Sequence, residues 1–134
     1  MADALTLRII TPDRIVLDTT AESIRIPGTD GSIGILPRHA AMVAALDPGD
    51  LSYVQGGQRR HYFVSGGFAE VREGTIRVVS DAAEQPTDID LKRATEAAKR
   101  ARERLRESAD RVDHARALLA LQRALMRERV SRYG

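Results

Sequence analysis

The placement of glycine and proline limits this chain more tightly than any single motif does. All five prolines lie at or before Pro86, and every glycine except the terminal Gly134 lies at or before Gly74. Inside a helix these residues cost about 1 and 3 kcal/mol, whereas tight turns require them. The first part must therefore be built of strands and turns, and the Ala/Arg/Glu/Leu-rich remainder must be helical. The break at Thr87 predicts two units, residues 1–86 and residues 87–134.

Within the first unit, Leu5, Leu7 and Ile9 alternate onto one face, and Ile24 and Ile26 do the same before the Pro27-Gly28 turn. This is the period of half-buried strands. Further short segments are expected at 32–36, 40–46, 51–54, 60–64, 68–72 and 75–79. The expected breaks between them include Pro48-Gly49-Asp50, Gln55-Gly56-Gly57 and Ser65-Gly66-Gly67. The fold class predicted is α+β: a mostly antiparallel β-sandwich or flattened barrel of about ten short strands, followed by a two-helix hairpin.

Beyond Pro86, Thr87 or Asp88 is placed to cap a first helix. Its stripe is Leu91, Ala94, Ala98, Ala101, Leu105 and Ser108, repeating by three and four. A second helix is expected after Asp113, packing through Ala115, Leu118, Leu119, Gln122, Leu125 and Met126. The joint between them holds no Gly or Pro, so one continuous helix is a second accessible state. If the second helix buries roughly three or four large apolar side chains at about 1.5–3 kcal/mol each, little remains after entropy costs. A ligand is then able to move the hairpin.

Composition removes several function classes. The chain has no cysteine, and His39, His61 and His114 lack metal-ligand spacing, so neither disulfides nor a metal site is expected. No apolar run of about 18 residues and no leader pattern is present, which predicts residence in a cytoplasm-like compartment without membrane insertion. Gly31-Ser32-Ile33-Gly34 is not a phosphate loop, because the only lysines are Lys92 and Lys99. Ser65-Gly66-Gly67 lacks the glycine of a nucleophile elbow. His39, after Leu36-Pro37-Arg38, reads as architectural. No catalytic residue is expected.

Charge is divided. Residues 1–88 carry 8 arginines against 12 acids, net −4, whereas residues 89–134 carry 13 basic residues against 7 acids, net +6. A negative partner would meet the helices. Nucleic acid is disfavoured because only Tyr133 among the five aromatic residues lies beyond residue 68, which leaves no stacking platform; a basic nucleic-acid-binding module stays a distant alternative. Asp90 and Arg93 are i,i+3 neighbours, Arg100 lies two turns beyond Arg93, and Arg123 and Arg127 are i,i+4 neighbours. In a folded hairpin these guanidinium groups can converge on one polyanion, and Asp90 suits an amine such as adenine N6. Surface salt bridges are the other reading of the same residues.

The runs Gly31-Ser32-Ile33-Gly34-Ile35-Leu36-Pro37-Arg38-His39-Ala40, Ser65-Gly66-Gly67-Phe68-Ala69-Glu70, Asp81-Ala82-Ala83-Glu84 and Ile89-Asp90-Leu91-Lys92-Arg93-Ala94 come in an order that resembles the epsilon subunit of the bacterial F-type ATP synthase. The resemblance implies a non-catalytic rotor subunit on the cytoplasmic face of the bacterial inner (plasma) membrane. Its sandwich would grip the gamma subunit and the c-ring, with Gly31, Ser32, Ile33 and His39 at that contact. Its helices would inhibit ATP hydrolysis when extended towards the alpha/beta ring and permit turnover when folded. The Ile-Asp-x-x-Arg-Ala pattern is similar to an ATP-recognition motif. It implies ATP as a regulatory ligand, not a catalytic cofactor, held by Glu84, Ile89, Asp90, Arg93, Ala94, Arg100, Arg123 and Arg127. Arg116, Arg123, Arg127 and Arg129 would meet an acidic segment of the beta subunit. An epsilon subunit that binds no nucleotide and regulates by subunit contacts alone is the alternative.

Overall fold

The computed structural model describes residues 4–134. Eight strands are followed by two helices: β1 (Leu5–Ile10), β2 (Ile15–Ala21), β3 (Ser23–Gly28), β4 (Gly31–Ile35), β5 (Met42–Gln55), β6 (Gln58–Arg72), β7 (Thr75–Val79) and β8 (Ala83–Glu84), then α1 (Leu91–Glu107) and α2 (Arg111–Ser131). A 3-10 turn, Pro86–Asp88, joins the two parts.

The strands form one sheet in the order β2-β1-β7-β6-β5-β3-β4, with β8 paired to β6. The sheet folds into a sandwich because β5 and β6 are long enough to serve both layers. β6 pairs with β7 through Phe68–Arg72 and with β8 through Phe63 and Val64. β5 pairs with β3 through Ser52, Tyr53 and Val54. Strand number is a correction: eight strands stand where about ten short ones are expected. Pro48-Gly49-Asp50 and Ser65-Gly66-Gly67 do not end strands. They lie within a single ladder that runs from Met42↔Val71 to Gln55↔Gln58, in which Pro48 faces Ser65 and Gly67 faces Leu46. Gly66 (φ 114°) and Gly67 (φ 104°) bend that ladder. Gly56 (φ 58°) and Gly57 (φ 75°) make its turn, both with the positive φ of a two-residue hairpin loop. One pairing, β1 with β7, is parallel; the rest are antiparallel.

The core lies between the layers, and Leu5, Leu7, Ile9, Ile24, Ile26, Ile35, Leu51, Val64, Val71, Ile76 and Val78 are among its fully buried members. The alternation of β1 and β3 thus delivers the residues it predicts. Burial holds the phenol groups of Tyr53 and Tyr62 above the ordinary tyrosine value of 10.0, because an apolar setting disfavours the phenolate.

The helices start differently from expectation. Asp90, not Thr87 or Asp88, caps α1, accepting from the Arg93 N–H at 3.0 Å. The 3-10 turn has already used residues 86–88. Asp110 caps α2, accepting from the Asp113 N–H at 2.8 Å, so α2 begins before Asp113. The packing face of α2 is also a correction. Ala117, Ala124 and Val130 are its buried residues, while Leu118, Leu119 and Leu125 are exposed. On α1, Ala94, Ala98 and Ala101 are buried as expected, and Leu91 is exposed. Alanine facing alanine brings the two backbones close, and a seam that narrow has no room for leucine. α2 rests on β5, β6 and the 3-10 turn, and α1 packs against α2.

Candidate functional site

Two adjoining cavities run along the helix seam. One, about 300 Å3, is bordered by Glu84, Asp88, Asp90, Arg93, Ala94, Ala97 and Arg127. The other, about 260 Å3, is bordered by Ala97, Arg100, Ala101, Arg104, Ala120, Arg123, Ala124 and Arg127. Ala97 and Arg127 border both, so they form one groove. The alanines that let the helices approach also keep the trench open, because their methyl groups fill no space above the seam.

Seven of the eight residues expected to meet a nucleotide border this groove: Glu84, Asp90, Arg93, Ala94, Arg100, Arg123 and Arg127. The eighth, Ile89, is buried beneath it with Phe63 and Val130. Its side chain belongs to that cluster and does not line the trench. Asp88, expected only as a helix cap, and Arg104 also border the groove. The sequence did carry a signal for Arg104, which continues the 93, 97, 100 spacing by one turn. Asp88 had none, since its position follows from the 3-10 turn.

Arg127 is the most constrained of these groups. Its Nε donates to Glu84 Oε1 at 2.6 Å, and its Cζ lies 4.5 Å from the centre of the buried Phe63 ring. A charge-assisted hydrogen bond and a cation–π contact fix the guanidinium plane. The terminal nitrogens of Arg127 have no partner among the described residues, so they are available to another acceptor. Asp90 is half committed, because Oδ1 caps α1. The groove is polarised as a result. Its acidic end gathers Glu84, Asp88 and Asp90, while the far end is bordered by Arg100, Arg104, Arg123 and Arg127. Such a trench suits a ligand with a polyanionic tail and a hydrogen-bond-donating head.

The other expected contacts fall elsewhere. Gly31, Ser32 and Ile33 lie on β4, an edge strand of the sheet. Ser32 Oγ accepts from Arg25 Nη1 at 3.0 Å, and Ser32 also borders a crevice with Gln122, Met126 and Arg129 of α2. His39 closes the turn after β4: its N–H donates to the Leu36 carbonyl at 3.1 Å, and its Nδ1 lies 2.8 Å from the Ala40 carbonyl oxygen. Arg116 and Arg129 are exposed on α2, whereas Arg123 and Arg127 turn into the groove. Among the described residues no cluster of His, Cys, Asp or Glu could hold a metal ion, and no helix is long and apolar enough to cross a membrane.

Residues 4–86 match the family model of the ATP synthase delta/epsilon chain β-sandwich domain, and residues 87–132 match that of its long α-helix domain. The ATP synthase epsilon chain of Nitratidesulfovibrio vulgaris (strain DP4) is 46% identical over 130 residues, 97% of either chain. That of Symbiobacterium thermophilum is 48% identical over 132 residues, 98% of this chain and 94% of the relative. Among solved structures, a chain of the Euglena gracilis mitochondrial ATP synthase (OSCP, F1 and c-ring) superposes with a TM-score of 0.81 at 27% identity. The match covers 94% of this chain and 80% of that one. A chain from the central stalk and c-ring of the Tetrahymena thermophila mitochondrial enzyme shares the fold, with a TM-score of 0.55 at 16% identity over 65% of this chain and 70% of that one. By both halves of its sequence, the chain belongs to the delta/epsilon family of F-type ATP synthase, as an epsilon chain, a non-catalytic subunit of that complex.

Proposed function

We propose that this epsilon chain is a nucleotide-sensing brake on the rotor of the synthase. The sandwich sits in the central stalk against the gamma subunit and the c-ring, presenting the β4 edge with Gly31, Ser32, Ile33 and His39. The complex is held at the cytoplasmic face of the bacterial membrane. ATP occupies the helix groove of the folded hairpin and keeps α1 and α2 away from the alpha/beta ring. When the groove empties, the helices extend, and Arg116, Arg123, Arg127 and Arg129 face carboxylates of the beta subunit and arrest ATP hydrolysis.

One observation carries this reading: guanidinium groups from both helices border a single trench, Arg93, Arg100 and Arg104 from α1 with Arg123 and Arg127 from α2. A polyanion lying there bridges the helices and therefore binds the folded state preferentially, which is what a ligand needs in order to shift the equilibrium. A second reading has its own support, because Arg127 is already paired with Glu84 and Asp90 already caps α1. On that view the hairpin is complete without nucleotide and acts by subunit contacts alone. Isothermal titration of the full chain with ATP separates the two. The nucleotide reading expects saturable binding that Arg123→Ala with Arg127→Ala weakens at least tenfold. Absence of binding, or equal affinity in the double variant, leaves the second.

A further inference from the structure

We infer that the last two residues, Tyr133 and Gly134, are a latch that fastens the folded hairpin to the sandwich, with His61 of β6 as its receptor. The inference rests on the reading of the hairpin as a mobile element, and it concerns a contact outside the nucleotide groove. The Tyr133 ring lies flat on the His61 ring, with centroids 3.6 Å apart and planes 2° from parallel. His61 is itself held from behind, since its Nδ1 lies 3.0 Å from both carboxylate oxygens of Asp50 on β5. A receptor fixed in this way offers its face without losing rotamer freedom when the tyrosine arrives.

The chain beyond α2 is equally ordered. The Tyr133 N–H donates to the Val130 carbonyl at 3.0 Å, and the Gly134 N–H to that of Ser131 at 3.2 Å. The tyrosine is thus carried rigidly on the helix end. Gly134 packs so tightly that an added Cβ would stand 3.2 Å from the Pro86 Cβ. Pro86 opens the turn that leads into α1, so the same two residues touch the exit of α2 and the entry to α1. His61 and Phe63 share one face of β6. His61 receives Tyr133, and Phe63 receives Arg127 and Val130. Tyr133 is 50% exposed. Its stack can therefore open and close without breaching a core, as a latch must, whereas Phe63 and Val130 are fully buried. Neither Tyr133 nor His61 borders the groove.

The test is amide hydrogen exchange on the full chain without nucleotide. Because aromatic pairs contribute beyond their buried area, Tyr133→Ala is expected to speed exchange across α2 about three- to tenfold while leaving the β1, β6 and β7 amides unchanged. Tyr133→Phe keeps the ring and should match the parent. His61→Ala should give the same acceleration, and the double variant no more than either alone. Unchanged α2 exchange in Tyr133→Ala, or additive effects in the double variant, overturns the latch while α2 still opens separately from the sandwich. If α2 and the sandwich exchange only together in every variant, the hairpin does not move by itself, and the latch falls along with the mobile-brake reading.

Discussion

At the residue scale, several side chains hold positions that only their own chemistry allows. Gly67 combines a φ of 104° with a backbone so close that an added Cβ would collide with the Val79 carbonyl. It is the pivot at which β6 leaves one layer for the other. Gly67→Ala is expected to lower sandwich stability by about 2–3 kcal/mol, read as a drop in the denaturant midpoint, whereas the same change at exposed Gly57 meets only the strain of its φ. In the sequence, Ser65-Gly66-Gly67 looks like a turn because glycine marks positive φ in turns and in bends alike. What decides between them is whether the partner strand continues, and that information lies some twenty residues away on β5. Arg127 was legible as a basic neighbour of Arg123, but its attachment to Glu84 and to the Phe63 ring was not, since both partners come from the strand region.

At the element scale, the helix starts show how one residue serves both fold and site. Asp90→Ala removes the α1 cap and is expected to cost about 1 kcal/mol of hairpin stability, whereas Asp90→Asn keeps an acceptor and most of that stability. If Asp90 also receives a donor from the nucleotide, Asn should weaken ATP binding while leaving the thermal melt of the helices nearly unmoved; equal losses in both measurements would assign Asp90 to the cap alone. The alternation of β1 and β3 and the alanine stripe of α1 were readable because a single face of each element is buried. α2 was not. It has the sandwich on one side and α1 on another, and its leucines at 118, 119 and 125 are exposed, so no single 3.6-residue stripe marks its inner face. The helices also bury fewer large side chains than the three or four expected, since their buried residues are alanines apart from Val130. The seam is mostly methyl groups, and docking is concentrated where Val130, Ile89 and Phe63 meet.

At the scale of the whole molecule, stability is unevenly shared. The sandwich has a continuous core of fully buried aliphatic residues, whereas among the described residues the hairpin is held by an alanine seam, one small cluster, one ion pair, one cation–π contact and one ring stack. Local opening follows such differences, so the helices should open well before the sandwich unfolds. The excess of acid in residues 1–88 and of base in residues 89–134 favours the docked state at short range. Beyond about 8 Å at physiological salt that attraction is screened, so an undocked hairpin is free to find another acidic surface. A ligand that binds only the docked state at a hundredfold excess over its dissociation constant stabilises it by about 2.7 kcal/mol. Saturating ATP is therefore expected to slow amide exchange in α1 and α2 about a hundredfold and to leave the sandwich core unaffected. Equal slowing in both units would mean that the nucleotide stabilises the whole molecule rather than choosing between hairpin states, and the groove would then be a structural binding site instead of a switch. Slowing confined to the helices, and abolished by Arg123→Ala with Arg127→Ala, is the pattern that a brake released by its own ligand requires.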